Sequence, residues 1–125
     1  MLFRSSVGTL RLAVVTALAP LAQDVVVTGH DRNDVGVLVF PSAAAAALAP
    51  LELAVKVGGA LARLKKTGAG SSQSPARALV LALPPSVDAG EITDKGYINQ
   101  GAVLRHRAEL VQALYADGTD VIHPR

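Results

Sequence analysis

The chain has no cysteine and no tryptophan, and only two tyrosines and two phenylalanines among its 125 residues. Without cysteine there is no disulfide framework, no thiolate nucleophile and no sulfur metal site. With so few aromatics, an apolar fraction of 50% consists mainly of alanine, leucine and valine. The core it builds is fine-grained and gains less per residue than an aromatic-rich one. An excess of one charge is also lacking, since 12 basic residues against 10 acidic ones leave a net +2. Apart from Lys65-Lys66, read as a solvated helix end, the basic residues are scattered. Tracking a phosphate backbone needs a clustered basic face, so nucleic acid is excluded as the main partner. No apolar run reaches the roughly 18 to 20 residues of a membrane span, so no membrane partner is expected. The absence of cysteine is compatible with a cytoplasmic location.

The length allows one domain with one modest core. Its first segment, "MLFRSSVGTLRLAVVTALAPLAQD", supports two readings. Early arginines, an apolar run from Leu12 to Ala22 and small residues near Ala19 and Ala22 resemble a secretory leader. Arg11 against the run and Pro20 in the cleavage region oppose that reading. Alternatively the segment is a helix, capped by Thr9, with Leu10, Ala13, Val14, Ala17, Leu18 and Leu21 at helical spacing.

"DVVVTG" then reads as a buried strand and "VGVLVF" as a second, antiparallel to the first because the link is short. "SAAAAALAP" makes one or two helical turns closed by Pro50. From Leu51 to Lys66 the spacing of Leu53, Val57, Ala60, Leu61 and Leu64 is helical, weakened by Gly58-Gly59. "TGAGSSQSP" is a loop, and "RALVLALPPS" a third strand stopped by Pro84-Pro85. The polar loop "GEITDKGYINQ" follows. A last helix is expected from Asn99 to Ala116, with Leu104, Ala108, Val111 and Tyr115 on one face and Arg105, Glu109 and Gln112 in water. The tail "GTDVIHPR" is expected to fray. This order predicts an α+β fold, a small mixed sheet of about three strands with helices packed on it.

Most candidate sites fail on spacing. "TGAGSSQS" lacks the lysine of a phosphate loop and precedes a strand where such a loop precedes a helix. His30, Asp31 and Asp34 have no second histidine at metal-ligand spacing and read as a turn, so no metal site is expected. His106 and His123 read as surface residues. No serine stands in a G-x-S-x-G elbow. Lys95 is different, because it sits on a short loop after a double proline, flanked by Gly90 and Gly96, which permit sharp backbone turns. A lysine held in this way can reach a phosphate or carboxylate supplied by another domain.

At these residues a family resemblance emerges. "LPPSVDAGEITDKGYINQ" followed by "AVLRHRAELVQALYA" resembles the C-terminal end of feruloyl-CoA synthetases, which belong to the adenylate-forming acyl- and aryl-CoA ligases. "SVGTLRLAVVTALAPLAQDVVVTGHDRNDVGVLVFP" resembles the stretch of those enzymes after the hinge between their lobes. The match is tightest at residues 6–41 and 68–116 and loose between them.

The resemblance implies that residues 1–116 form the mobile C-terminal lobe of such a ligase, with residues 117–125 as a tail. Its partner would be a large N-terminal adenylating lobe. In the full-length family ATP, magnesium and CoA are used, and none is expected to bind this chain tightly by itself. Lys95 is carried over as the adenylation lysine, with Gly90, Glu91 and Gly96 shaping its loop. Many relatives place that lysine directly after a glycine, in a P-x-T-x-x-G-K pattern. Here Glu91 follows Gly90, and Lys95 lies four residues beyond it. Val7, Thr9 and Arg11 stand where relatives usually show a proline and two glutamates. Without the large lobe the chain is expected to be inactive. The alternatives are a protein-interaction module of the same fold and a small secreted α+β protein with residues 1–22 as leader.

Overall fold

The computed structural model describes residues 2–29, 35–67, 75–116, 118 and 120–124. The His30-to-Asp34 turn and residues 68–74 of the glycine- and serine-rich loop lie outside the described residues. In chain order the elements are α1 (Leu2–Leu18), β1 (Ala22–Val27), β2 (Gly36–Pro41), α2 (Ala43–Ala46), α3 (Pro50–Thr67), β3 (Arg77–Val80), α4 (Gln100–His106) and α5 (Ala108–Tyr115). The sheet order is β1-β2-β3. β1 and β2 pair antiparallel, with Val25 opposite Val39, and β2 and β3 pair parallel, with Leu38 opposite Leu79. The expected mixed three-stranded α+β fold is therefore present.

The strands read as unbroken apolar runs because both faces of the sheet are covered. Side chains alternate across a strand. Val25, Val27, Val37, Val39 and Ala78 therefore meet Leu10, Val14 and Leu18 of α1 and Val57, Ala60 and Leu61 of α3. On the opposite face Val26, Leu38, Phe40, Leu79 and Leu81 meet Val103 of α4 and Leu114 of α5. Cleavage of residues 1–22 as a leader would strip Leu10, Val14 and Leu18 from the first of these layers.

Several expectations change in detail. α1 begins at Leu2, so Thr9 lies inside the helix and does not cap it. The alanine run makes a single turn, capped by Ser42, whose Oγ accepts from the Ala45 N–H at 3.3 Å. Pro50 does not merely close that run. It opens α3, where its fixed φ and missing N–H cost nothing. Arg11 forks onto Asp24 of β1 at 3.0 and 2.7 Å, tying the first helix to the edge strand.

The final helix is not continuous. It breaks at Arg107, whose backbone lies at φ −112°, ψ 34°. Of the expected apolar face, Leu104, Val111 and Tyr115 pack against the core, and Arg105, Glu109 and Gln112 are exposed as expected. Ala102, Val103 and Leu114 are buried, whereas Ala108 is exposed. The tail does not simply fray, because Ile122 exchanges two 2.8 Å backbone hydrogen bonds with Ala78 on β3. Among the described residues no helix is long and apolar enough to cross a membrane.

Gly36 marks where α5 presses on the sheet. A Cβ built there would stand 2.7 Å from Leu114 Cδ2 and 2.8 Å from Arg77 Cγ. Gly36→Ala therefore requires both side chains to move. Overpacking of this kind costs about 1–3 kcal/mol, and a lower urea midpoint with an unchanged slope would register it.

Candidate active-site loop

The third strand is shorter than expected: β3 ends at Val80, after one further bond from the Leu81 N–H to Val39 O at 2.8 Å, and Pro84-Pro85, without N–H donors, lie in the chain beyond it. Residues 86–91 then fold back on themselves. The Gly90 N–H donates to Val87 O at 3.0 Å, and the Ala89 N–H donates to Ser86 Oγ at 3.1 Å. Gly90 closes this turn at φ +76°, a left-handed conformation open to glycine at little cost.

A small hairpin follows. Ile92 and Ile98 bridge antiparallel. The Thr93 N–H donates to Tyr97 O at 2.8 Å, and the Gly96 N–H returns to Thr93 O at 2.9 Å. The Tyr97 N–H donates to Thr93 Oγ1 at 3.2 Å. Gly96, at φ +86°, is the left-handed residue such a hairpin turn requires. Lys95 therefore stands at the tip, exposed, and among the described residues its ammonium has no ion-pair partner. Tyr97, 65% exposed, flanks it.

Glu91 faces the other way. It is only 1% exposed, and a buried carboxylate requires partners. Arg107 supplies them through a forked contact, Nε to Oε2 and Nη2 to Oε1, both at 2.9 Å. The Ser86 N–H adds a hydrogen bond to Oε1 at 2.8 Å. The same guanidinium donates to the carbonyls of Leu83 at 3.0 Å and Pro84 at 2.8 Å, and lies 5.1 Å from the centre of the Phe40 ring. The Arg107 hydrogen bonds hold the Glu91 carboxyl below its ordinary pKa of 4.5. Burial opposes that shift, while the Ser86 N–H and the positive charges of Arg107 and His106 add to it. Glu91 is thus an internal anchor, turned away from the hairpin tip.

The main chain of Glu91 completes the arrangement. Its N–H donates to Ser86 O at 2.9 Å, and its carbonyl accepts from the Asn99 N–H at 2.8 Å. Asn99 in turn caps α4, its Oδ1 accepting from the Ala102 N–H at 3.2 Å. Beside it the Gln100 amide lies along the outer edge of β1, accepting from the Val27 N–H at 3.1 Å and donating to Val25 O at 3.0 Å.

Residues 9–119 match the family model of the AMP-binding enzyme C-terminal domain. The chain belongs to that family. It is similar in structure to the adenylation domain of a carboxylate reductase from Mycobacterium chelonae, at 26% identity and a TM-score of 0.72, over 89% of this chain and 18% of that one. It is also similar to the A-PCP didomain of carboxylic acid reductase from Segniliparus rugosus in complex with AMP, at 22% identity and a TM-score of 0.69, over 88% of this chain and 16% of that one. A further likeness is to the A domain of the Segniliparus enzyme in complex with AMP and a co-purified carboxylic acid, at 22% identity and a TM-score of 0.68, over 88% and 18% of the two chains. At 22% identity those two likenesses show the fold alone. No curated protein sequence matches. The chain spans less than a fifth of the length of each of these structures.

Among the described residues no group of three or more histidine, aspartate or glutamate side chains could hold a metal ion. Arg107 is the residue that sequence reasoning missed. The signal was present, because Val103, Arg107 and Leu114 fall on one helical face, and an arginine among core residues calls for a carboxylate.

The depressed pKa of Glu91 makes stability depend on pH. Since the folded pKa lies below 4.5, the stabilisation is complete above that pH and is lost as the pH falls below it through the folded value. Glu91→Gln should lower stability at neutral pH, and the gap to wild type should close progressively in urea melts below pH 4.5. Glu91→Ala, which leaves Arg107 buried without its carboxylate, should cost about 3–5 kcal/mol.

Proposed function

We propose that the chain is the mobile C-terminal lobe of an AMP-forming aryl- or acyl-CoA ligase of the feruloyl-CoA synthetase kind, with residues 1–116 as the lobe. In this reading it closes on a large N-terminal adenylating lobe. The observation that carries it is the exposed Lys95 at the tip of a hairpin fixed at its base, in a chain of the AMP-binding enzyme C-terminal domain family.

In the first half-reaction a carboxylate oxygen of the acid attacks the α-phosphorus of ATP. The new acyl–phosphate bond forms as the bond to pyrophosphate breaks. Lys95 offsets negative charge gathering on the α-phosphate and carboxylate oxygens, an effect strongest where water is excluded. Closure of the lobe excludes that water and protects the acyl-adenylate from hydrolysis. In the second half-reaction the CoA thiolate attacks the acyl carbon and AMP leaves. Lys95 has no role in that step, and the lobe presents another face to it.

The test combines this chain with the large lobe of a related ligase deprived of its own C-terminal lobe, and assays it with ferulate, ATP, magnesium and CoA. The chain should restore pyrophosphate release. Lys95→Ala should lower that rate by about 10²–10³ while leaving thioester formation from supplied feruloyl-AMP within a few-fold. Equal losses in both half-reactions would remove Lys95 from the adenylation step. Failure to restore either half-reaction would favour an interaction module built on the same fold.

A further inference from the structure

The geometry points to Arg107 as the positioning residue of the Lys95 hairpin, acting through Glu91. This rests on the proposed role of Lys95, which it extends to the residues that set where the lysine stands.

The covalent path runs from Glu91 through the hairpin to Asn99, along α4 and into Arg107. The guanidinium then returns to the Glu91 carboxylate at 2.9 Å, so that this stretch of chain forms a closed ring. Within it the Asn99 N–H meets Glu91 O at 2.8 Å and pins together the two legs of the hairpin. Lys95 projects from this ring and takes no part in holding it. Arg107 also grips the approach to the ring through the carbonyls of Leu83 and Pro84. Its stacking on Phe40, a core residue of β2, refers the whole assembly to the sheet.

The interruption between α4 and α5 belongs to the same device. No proline or glycine lies at Arg107 to force it. The local geometry of the break accompanies an inward guanidinium that makes four hydrogen bonds. A lysine at this position could not reproduce the fork, because its ammonium is a point charge without the planar pair of donors.

The test compares wild type with Arg107→Lys and Glu91→Gln, first on the chain alone. Amide hydrogen exchange should rise at Glu91, Thr93, Gly96, Tyr97 and Asn99 at least about ten-fold more than at Val14, Val37 and Leu38 in the core, where it rises only by the loss of global stability. Unchanged exchange in the hairpin would overturn the proposal. A rise in Glu91→Gln that spreads equally to the core would also overturn it, by making the pair a support of the global fold. In the two-lobe assay, Arg107→Lys should lower kcat for pyrophosphate release by about 10²-fold, the scale of a misplaced catalytic group, with KM for ATP unchanged. In a Lys95→Ala background the same substitution should have no further effect. An additive loss would overturn the proposal by showing that Arg107 acts independently of Lys95. If Lys95→Ala alone leaves adenylation intact, the role of Lys95 fails, and the exchange comparison still decides whether Arg107 fixes the hairpin.

Discussion

The forked contact between Glu91 and Arg107 is the constraint on which the Lys95 end of this molecule depends. Neither charge would be stable at that depth by itself, since desolvation of an unpaired carboxylate or guanidinium costs several kcal/mol. Together, with the Ser86 N–H and two main-chain carbonyls, they are satisfied. The 86–91 turn, the base of the hairpin and the break between the last two helices all meet at this pair. A pair this buried gives little net stabilisation relative to an apolar substitute. What it does supply is directional, because a fork accepts a carboxylate in one orientation only.

Much of the scaffold was legible because it rests on local periodicity. The positions of Val57, Ala60 and Leu61 followed from helical spacing and are buried where that spacing puts them. The antiparallel pairing of β1 and β2 followed from a short connection. What was not legible rests on contacts distant in sequence. No proline or glycine lies at the break in residues 99–116, and it falls at Arg107, whose side chain meets Glu91, 16 positions earlier. The same holds for the tail, where Ile122 pairs with a strand residue more than forty positions away. In the loop the glycine positions could be read from the sequence, and Gly90 and Gly96 do take positive φ. The inward turn of Glu91 could not, since an acid after a glycine reads equally well as solvated.

The composition suits a lobe of this kind. A core of valine, leucine and alanine packs two helical layers closely on a three-stranded sheet, and the two clusters share that sheet as a common wall. At Gly36 the approach is so close that not even a methyl group fits without displacement. Such packing resists deformation within the domain.

The sheet edges then connect that rigidity to the lysine. An exposed edge strand carries unpaired backbone groups that invite association. On β1 the Gln100 amide occupies such groups, bonding Val25 O and the Val27 N–H as a neighbouring strand would. Gln100 directly follows Asn99, whose N–H closes the hairpin onto Glu91. The side chain that protects the edge therefore also fixes one leg of the hairpin to the sheet, while Arg107 on Phe40 fixes the other through Glu91. With two anchors on different strands, rotation of the hairpin about either one is blocked by the other. An exposed lysine side chain is free to sample rotamers, but its backbone origin is set by the core of the protein.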